Sequence, residues 1–180
     1  MDRSPEVTNQ ERDPADTRPW VMVLGPHSSG TRIHVKLVAD LLAANGDPWI
    51  VEHFSLPYEA SIPTRDKYIW VQRDPHITAL SQEVRGYGTR QAKREGREFE
   101  GFHSQVWKGI AQGAELFQTL RPDQFMFAWY NETLENPYDF AHKVMVFLGL
   151  ETAPAGFGDD LEDMSAKYVQ PAIDQLWSNQ

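Results

Sequence analysis

The apolar run Val21-Met-Val-Leu24 ends in the glycine-bracketed loop Gly25-Pro-His-Ser-Ser-Gly30, and a helical pattern begins at once. This junction constrains the fold more than any other stretch. An unbroken apolar run suits a strand buried on both faces of a parallel sheet, because neither face meets water. The helix that follows places Ile33, Leu37, Val38, Leu41 and Leu42 on one face at 3.6-residue spacing. Gly46 stands where a C-terminal glycine cap belongs, and Pro48 keeps the helix from resuming. Gly25 and Gly30 frame four residues, two of them serines, so backbone N–H groups can wrap an anion at the helix N-terminus.

The alternation continues. Strands are predicted over Trp20 to Leu24, Trp49 to Phe54, Tyr68 to Gln72 and Phe125 to Tyr130. Helices are predicted over Gly30 to Ala44, Pro75 to Val84, Phe102 to Leu120 and Pro137 to Leu148. Asp74-Pro75 is a helix start, Asp at the cap and Pro at the first helical position. The basic stretch Arg85 to Arg97 reads as a mobile loop or short exposed helix, and Trp107 and Trp129 read as core. A last helix is expected over Asp163 to Trp177, broken or kinked at Pro171. Residues 1–19 are polar and proline-bearing and read as a disordered leader. Strands regularly separated by helices imply an α/β fold. The expected architecture is a three-layer P-loop NTPase-like fold, a central parallel sheet flanked by helices, formed by one domain over residues 20–180.

Composition narrows the chemistry. A net charge of −9 argues against a nucleic-acid binder, whose footprint would be basic. With no cysteine, thiol catalysis, disulfide scaffolds and cysteine-ligated metals are excluded. No stretch reaches the roughly 20 apolar residues of a membrane span, and no signal-peptide pattern opens the chain, so a cytoplasmic protein with no membrane partner is expected.

In an open parallel sheet, ligands sit beyond the carboxyl ends of the strands, near the point where strand order reverses. The loop Gly25 to Arg32, the loop after Phe54 and the corner from Arg73 to Ser81 therefore converge. Arg73 ends the third strand and Ser81 follows eight residues later; a guanidinium fork and a hydroxyl suit a phosphate. Ion pairing of Arg73 with Asp74 or Glu83 is the plainer alternative. The G-x-x-x-x-G spacing is that of a nucleotide-binding P-loop, but Thr31-Arg32 replaces the Lys-[Ser/Thr] that reaches terminal phosphates and magnesium. His34, His76, His103 and His142 share no metal spacing and read as surface or packing residues; no metal is expected.

Taken together, these segments resemble the P-loop sulfotransferases, which use 3′-phosphoadenosine 5′-phosphosulfate (PAPS). The Gly25–Arg32 loop resembles the family's 5′-phosphosulfate loop, commonly Ser-Gly-Thr after a basic residue. Tyr68-Ile-Trp-Val-Gln-Arg-Asp-Pro-His-Ile-Thr-Ala-Leu-Ser-Gln82 resembles its 3′-phosphate segment, with Arg and Ser eight apart. Phe127-Ala-Trp-Tyr-Asn-Glu-Thr-Leu-Glu-Asn-Pro137 and Val146-Phe-Leu-Gly-Leu150 resemble its Tyr-Glu-Asp-Leu…Asp-Pro…Phe-Leu-Gly-Leu stretch. The resemblance covers roughly residues 20–150, in order.

It implies that Ser29, Gly30 and Thr31 hold the 5′-phosphosulfate through backbone and hydroxyl donors, and that Arg73 and Ser81 hold the 3′-phosphate; Gly25, His27, Ser28 and Arg32 of the same loop are further candidates for cofactor binding. It implies sulfuryl transfer from PAPS to a hydroxyl or amine of a small-molecule, carbohydrate or peptide acceptor. The chain departs from the pattern at Ser28, where many members carry Lys or Arg to neutralise the leaving group. Arg32 or His27 can compensate. A counterpart of the C-terminal basic-glycine loop is also missing; Lys167 and Arg90 to Arg97 are candidates by charge alone. The base that takes the acceptor's proton is expected near the second strand's end, among Glu52, His53 and Glu59, with His53 preferred. Two rivals remain: a divergent P-loop nucleotide kinase or phosphotransferase, and a nucleotide-binding protein without catalysis.

Overall fold

A computed structural model describes residues 16–57, 61–96 and 98–161. The expected helix over 163–177, the candidates Glu59 and Lys167, Arg97, and the first fifteen residues of the expected leader lie outside the described residues. The chain runs β1 (Trp20–Pro26), α1 (Thr31–Asn45), β2 (Ile50–Leu56), β3 (Lys67–Gln72), α2 (Pro75–Arg85) and α3 (Tyr87–Glu95). It continues through α4 (Phe102–Phe117), a 3₁₀ turn at Pro122–Gln124, β4 (Phe125–Trp129), α5 (Tyr130–Glu135) and α6 (Pro137–Leu148). The four strands are parallel and lie in the order β2-β1-β3-β4.

Side chains alternate across this sheet, and each set meets its own layer of helices. Val21, Val23, Ile69, Val71 and Ala128 pack against Ile33, Leu37 and Leu41 of α1 and Phe140 and Val144 of α6. Met22, Leu24, Phe54, Leu56, Tyr68 and Trp70 face the other way, against Ile110, Leu116 and Phe117 of α4. The three-layer expectation therefore holds.

Local chemistry sets the helix ends. Gly46 closes α1 in the left-handed conformation (φ 59°), as its position in the sequence implied. The Asp74 carboxylate accepts from the backbone N–H groups of His76 and Ile77 at 2.9 and 3.0 Å, with Pro75 at the first position of α2. Asn136 caps α6 and Gly149 ends it. The basic stretch forms α3, one of its two expected forms.

Three expectations change. The long helix stops at Phe117, before Leu120. Tyr130 opens the short helix α5 instead of ending β4. Trp107 and Trp129 are 55% and 51% exposed. α4 presents Gln105, Val106, Gly109 and Gly113 inward, which turns Trp107 outward. β4 is one of the two outer strands of the described sheet, and Trp129, its last residue, is left exposed there. Among the described residues no helix is long and apolar enough to cross a membrane.

Candidate functional site at the carboxyl ends of the strands

Strand order reverses between β1 and β3. β2 lies on one side of β1, whereas β3 and β4 follow on the other, so the crevice opens where β1 and β3 end. The glycine loop leaves β1 there. A Cβ at Gly25 would stand 2.3 Å from the Val71 carbonyl oxygen and 2.7 Å from Ser29 Oγ, so the turn tolerates no side chain. Ser28 (φ 66°) and Gly30 (φ 97°) both take left-handed backbone, the curvature that lets successive N–H groups face an anion. The loop is pinned from two directions: His27 N–H donates to Leu56 O at 2.8 Å, and Gln82 Nε2 of α2 donates to His27 O at 2.8 Å.

Arg73 follows β3 directly and is 8% exposed. Its guanidinium lies 4.8 Å from the ring centre of Tyr130, the first residue after β4. It pairs with no carboxylate among the described residues, because Asp74 is engaged in capping α2. Its buried Nε has no hydrogen-bond partner, and burial holds the guanidinium pKa below its usual value. The Tyr130 ring fills the space beside Gly30, where a Cβ would stand 2.1 Å from Tyr130 Cδ2. Ser28 Oγ, Ser29 Oγ and the Tyr130 hydroxyl are likewise buried without partners. Unsatisfied buried donors are costly, and orphaned donors both on the glycine loop and at Arg73 are what an anionic ligand would satisfy. Ser81, two turns into α2, is buried on the same helix that holds the loop through Gln82.

β2 contributes the remaining corner. His53 Nε2 lies 2.7 Å from Thr31 Oγ1 and 3.0 Å from Ser55 Oγ. Burial first, then the charges of Arg32 and His27, lower the His53 pKa to about 4, so the ring is neutral at pH 7. Arg32 is exposed at the first turn of α1. His27 stacks on Tyr87 of α3 with ring centres 6.3 Å apart, which brings the basic helix over the loop.

Glu52 drops out as a base. It lies on the opposite face of β2, near the amino end of the sheet, in a buried ion pair with Arg65 at 2.6 Å. The fold thus gathers the loop, Arg73, Ser81 and His53 at the carboxyl end of the sheet. It also adds residues the sequence did not single out: Gln82, Tyr130, Ser55 and His34. His34 is fully buried and reaches Gly30 O and Thr133 Oγ1, both at 3.0 Å. Tyr130 had one usable signal, its place immediately after a strand. Among the described residues no group of three or more His, Asp or Glu is placed to hold a metal ion; His76 and His103 meet as a surface pair at 3.1 Å.

The architecture is the P-loop-like α/β fold of the sulfotransferases. Mouse sulfotransferase SULT7A1, solved in complex with PAP, is similar at 16% identity and a TM-score of 0.54, over 81% of this chain and 64% of that one. The sulfotransferase domain of the curacin biosynthetic pathway is similar at 15% and 0.55, over 76% of each chain. That of the Synechococcus PCC 7002 olefin synthase is similar at 12% and 0.52, over 80% of this chain and 78% of that one. At such identities the likeness is one of fold. No protein-family model and no curated protein sequence matches the chain.

Proposed function

We propose that the protein is a PAPS-dependent sulfotransferase acting on a hydroxyl or amine of a small-molecule, carbohydrate or peptide acceptor. One observation supports this reading: among the described residues, a buried Arg73 with no carboxylate ion pair and an orphaned Nε stands beside a glycine loop whose Ser28 and Ser29 hydroxyls are orphaned. The crevice thus has two anion-seeking ends, which suits a nucleotide phosphorylated at both 3′ and 5′ positions. The sulfotransferase fold supports it, as does the PAP bound in the mouse structure.

In this reading the loop N–H groups, Ser29 and Thr31 hold the 5′ end, and Arg73 with Ser81 holds the 3′-phosphate. PAPS, when bound, supplies the transferable sulfuryl group. Tyr130 backs Arg73 and shields it from water, which strengthens its hold on an anion. Arg32 supplies the positive charge that Ser28 lacks. Neutral His53 holds a lone pair for the acceptor's proton, and a bound anion beside it would raise its basicity.

Ser28 also motivates a second reading, a nucleotide-binding protein without transfer activity. A kinase-type reaction lacks the lysine that reaches terminal phosphates. Calorimetry with 3′,5′-ADP, ADP and ATP, with and without magnesium, tests the proposal. Micromolar binding of 3′,5′-ADP independent of magnesium is expected, followed by transfer of labelled sulfate from PAPS across an acceptor panel. Magnesium-dependent ATP binding without 3′,5′-ADP binding would overturn it, and tight binding without transfer would select the second reading.

A further inference from the structure

His34 is a buried titratable group that the proposed chemistry does not use. It sits one turn into α1, fully buried, with Phe140 edge-on at 5.0 Å. Its Nδ1 faces Gly30 O, which can only accept, so Nδ1 carries the hydrogen. Burial lowers its pKa to about 4, so the ring is neutral at pH 7; its Nε2 lies 3.0 Å from Thr133 Oγ1, whose one hydrogen is shared between Nε2 and the Trp129 carbonyl oxygen at 3.1 Å. Gly30 O also receives the N–H groups of Ile33 and His34 as the first carbonyl of α1. The imidazole ties that same carbonyl to α5, across 99 residues of sequence.

α5 is the element that carries Tyr130. The ring of Tyr130 occupies the space beside Gly30 and lies under the Arg73 guanidinium. A single six-residue helix therefore touches both ends of the crevice, and His34 fixes its position relative to the loop. Because the peptide is planar, anchoring Gly30 O also sets the direction of the Thr31 N–H.

We propose that His34 is a positioning residue that couples the two anion subsites, through Thr133 and Tyr130, for a ligand bearing phosphates at both ends. This rests on the nucleotide reading above. A ligand that engages the loop orders α5 and with it Arg73. A ligand with one phosphate gains nothing from the link.

The test is the ratio of dissociation constants, 5′-AMP over 3′,5′-ADP, by calorimetry on the full chain. Thr133→Val keeps the shape and removes the hydroxyl. It should reduce the ratio about 3- to 10-fold, within the range typical of coupling through a side-chain link, while cooperative melting is retained. His34→Asn retains an amide near Nδ1 but does not reach Thr133, and should show the same loss. Thr133→Ser should restore the wild-type ratio. Adding Thr133→Val to Arg73→Ala should lower the ratio no further than Arg73→Ala alone. A wild-type preference for 3′,5′-ADP that Thr133→Val and His34→Asn both leave within twofold, with only the melting temperature lowered, overturns the coupling and spares the nucleotide reading. A wild-type protein that does not prefer 3′,5′-ADP overturns both.

Discussion

Arg73 is a buried cation that makes no carboxylate ion pair among the described residues, and its energetics depend on what the crevice holds. Hydrogen bonds to charged groups contribute about 1.5–3 kcal/mol each, so Arg73→Ala should weaken 3′,5′-ADP binding roughly 10- to 100-fold. Binding of 5′-AMP should change by less than about threefold, since it has no group for Arg73 to meet. Calorimetry with both ligands checks this, and equal losses would remove Arg73 from the 3′ subsite. The placement of Arg73 and Ser81, at a strand end and on a capped helix, was legible in the sequence because local rules set both elements. Tyr130, His34 and Gln82 were not. Gln82 meets the loop across 55 residues and His34 meets Thr133 across 99, and no local periodicity encodes such contacts.

α4 shows how an element is chosen by what it lacks. Gly109 and Gly113 lie one turn apart on its sheet-facing side. A Cβ at Gly109 would stand 3.1 Å from the Leu56 backbone, and one at Gly113 would stand 2.2 Å from the Trp70 ring. That ring has little freedom to move, because Nε1 donates to Gln72 at 3.0 Å and Phe117 packs edge-on at 5.4 Å. Gly113→Ala gains about 1 kcal/mol of helix propensity. Overpacking costs about 1–3 kcal/mol or more, so the balance is destabilising. A lower urea midpoint with an unchanged m-value is the expected result, and a higher midpoint would show that Trp70 can yield. Strands and long helices followed from the sequence because their apolar periods are continuous. α5 did not, being too short for a period. Trp107 and Trp129 misled because bulk and apolarity alone do not say which side of an element is covered.

His34 and His53 are imidazoles kept neutral chiefly by burial, with pKa values lowered from 6.5 to about 4. The unfolded chain protonates both as pH falls below about 6.5, whereas the folded protein does not until about 4. Their contribution is therefore fully present above pH 6.5 and is lost through that window, by up to about 3 kcal/mol for each ring. Urea denaturation at pH 7, 5.5 and 4.5 should show a steep decline that is shallower in His34→Gln. A parallel decline in the variant would assign the loss to other groups. The residues of the proposed site come together at the carboxyl ends of the strands, from segments near 27–32, 53–55, 73–82 and 130–133. No contiguous fragment carries them all, so the unfolded chain has no affinity to lose. Occupancy and unfolding are then one linked equilibrium, and a ligand at 100 times its dissociation constant adds about 2.7 kcal/mol to the stability of the whole chain. The melting curve becomes an assay that requires no knowledge of the reaction, and a compound library can be screened for whatever the crevice binds.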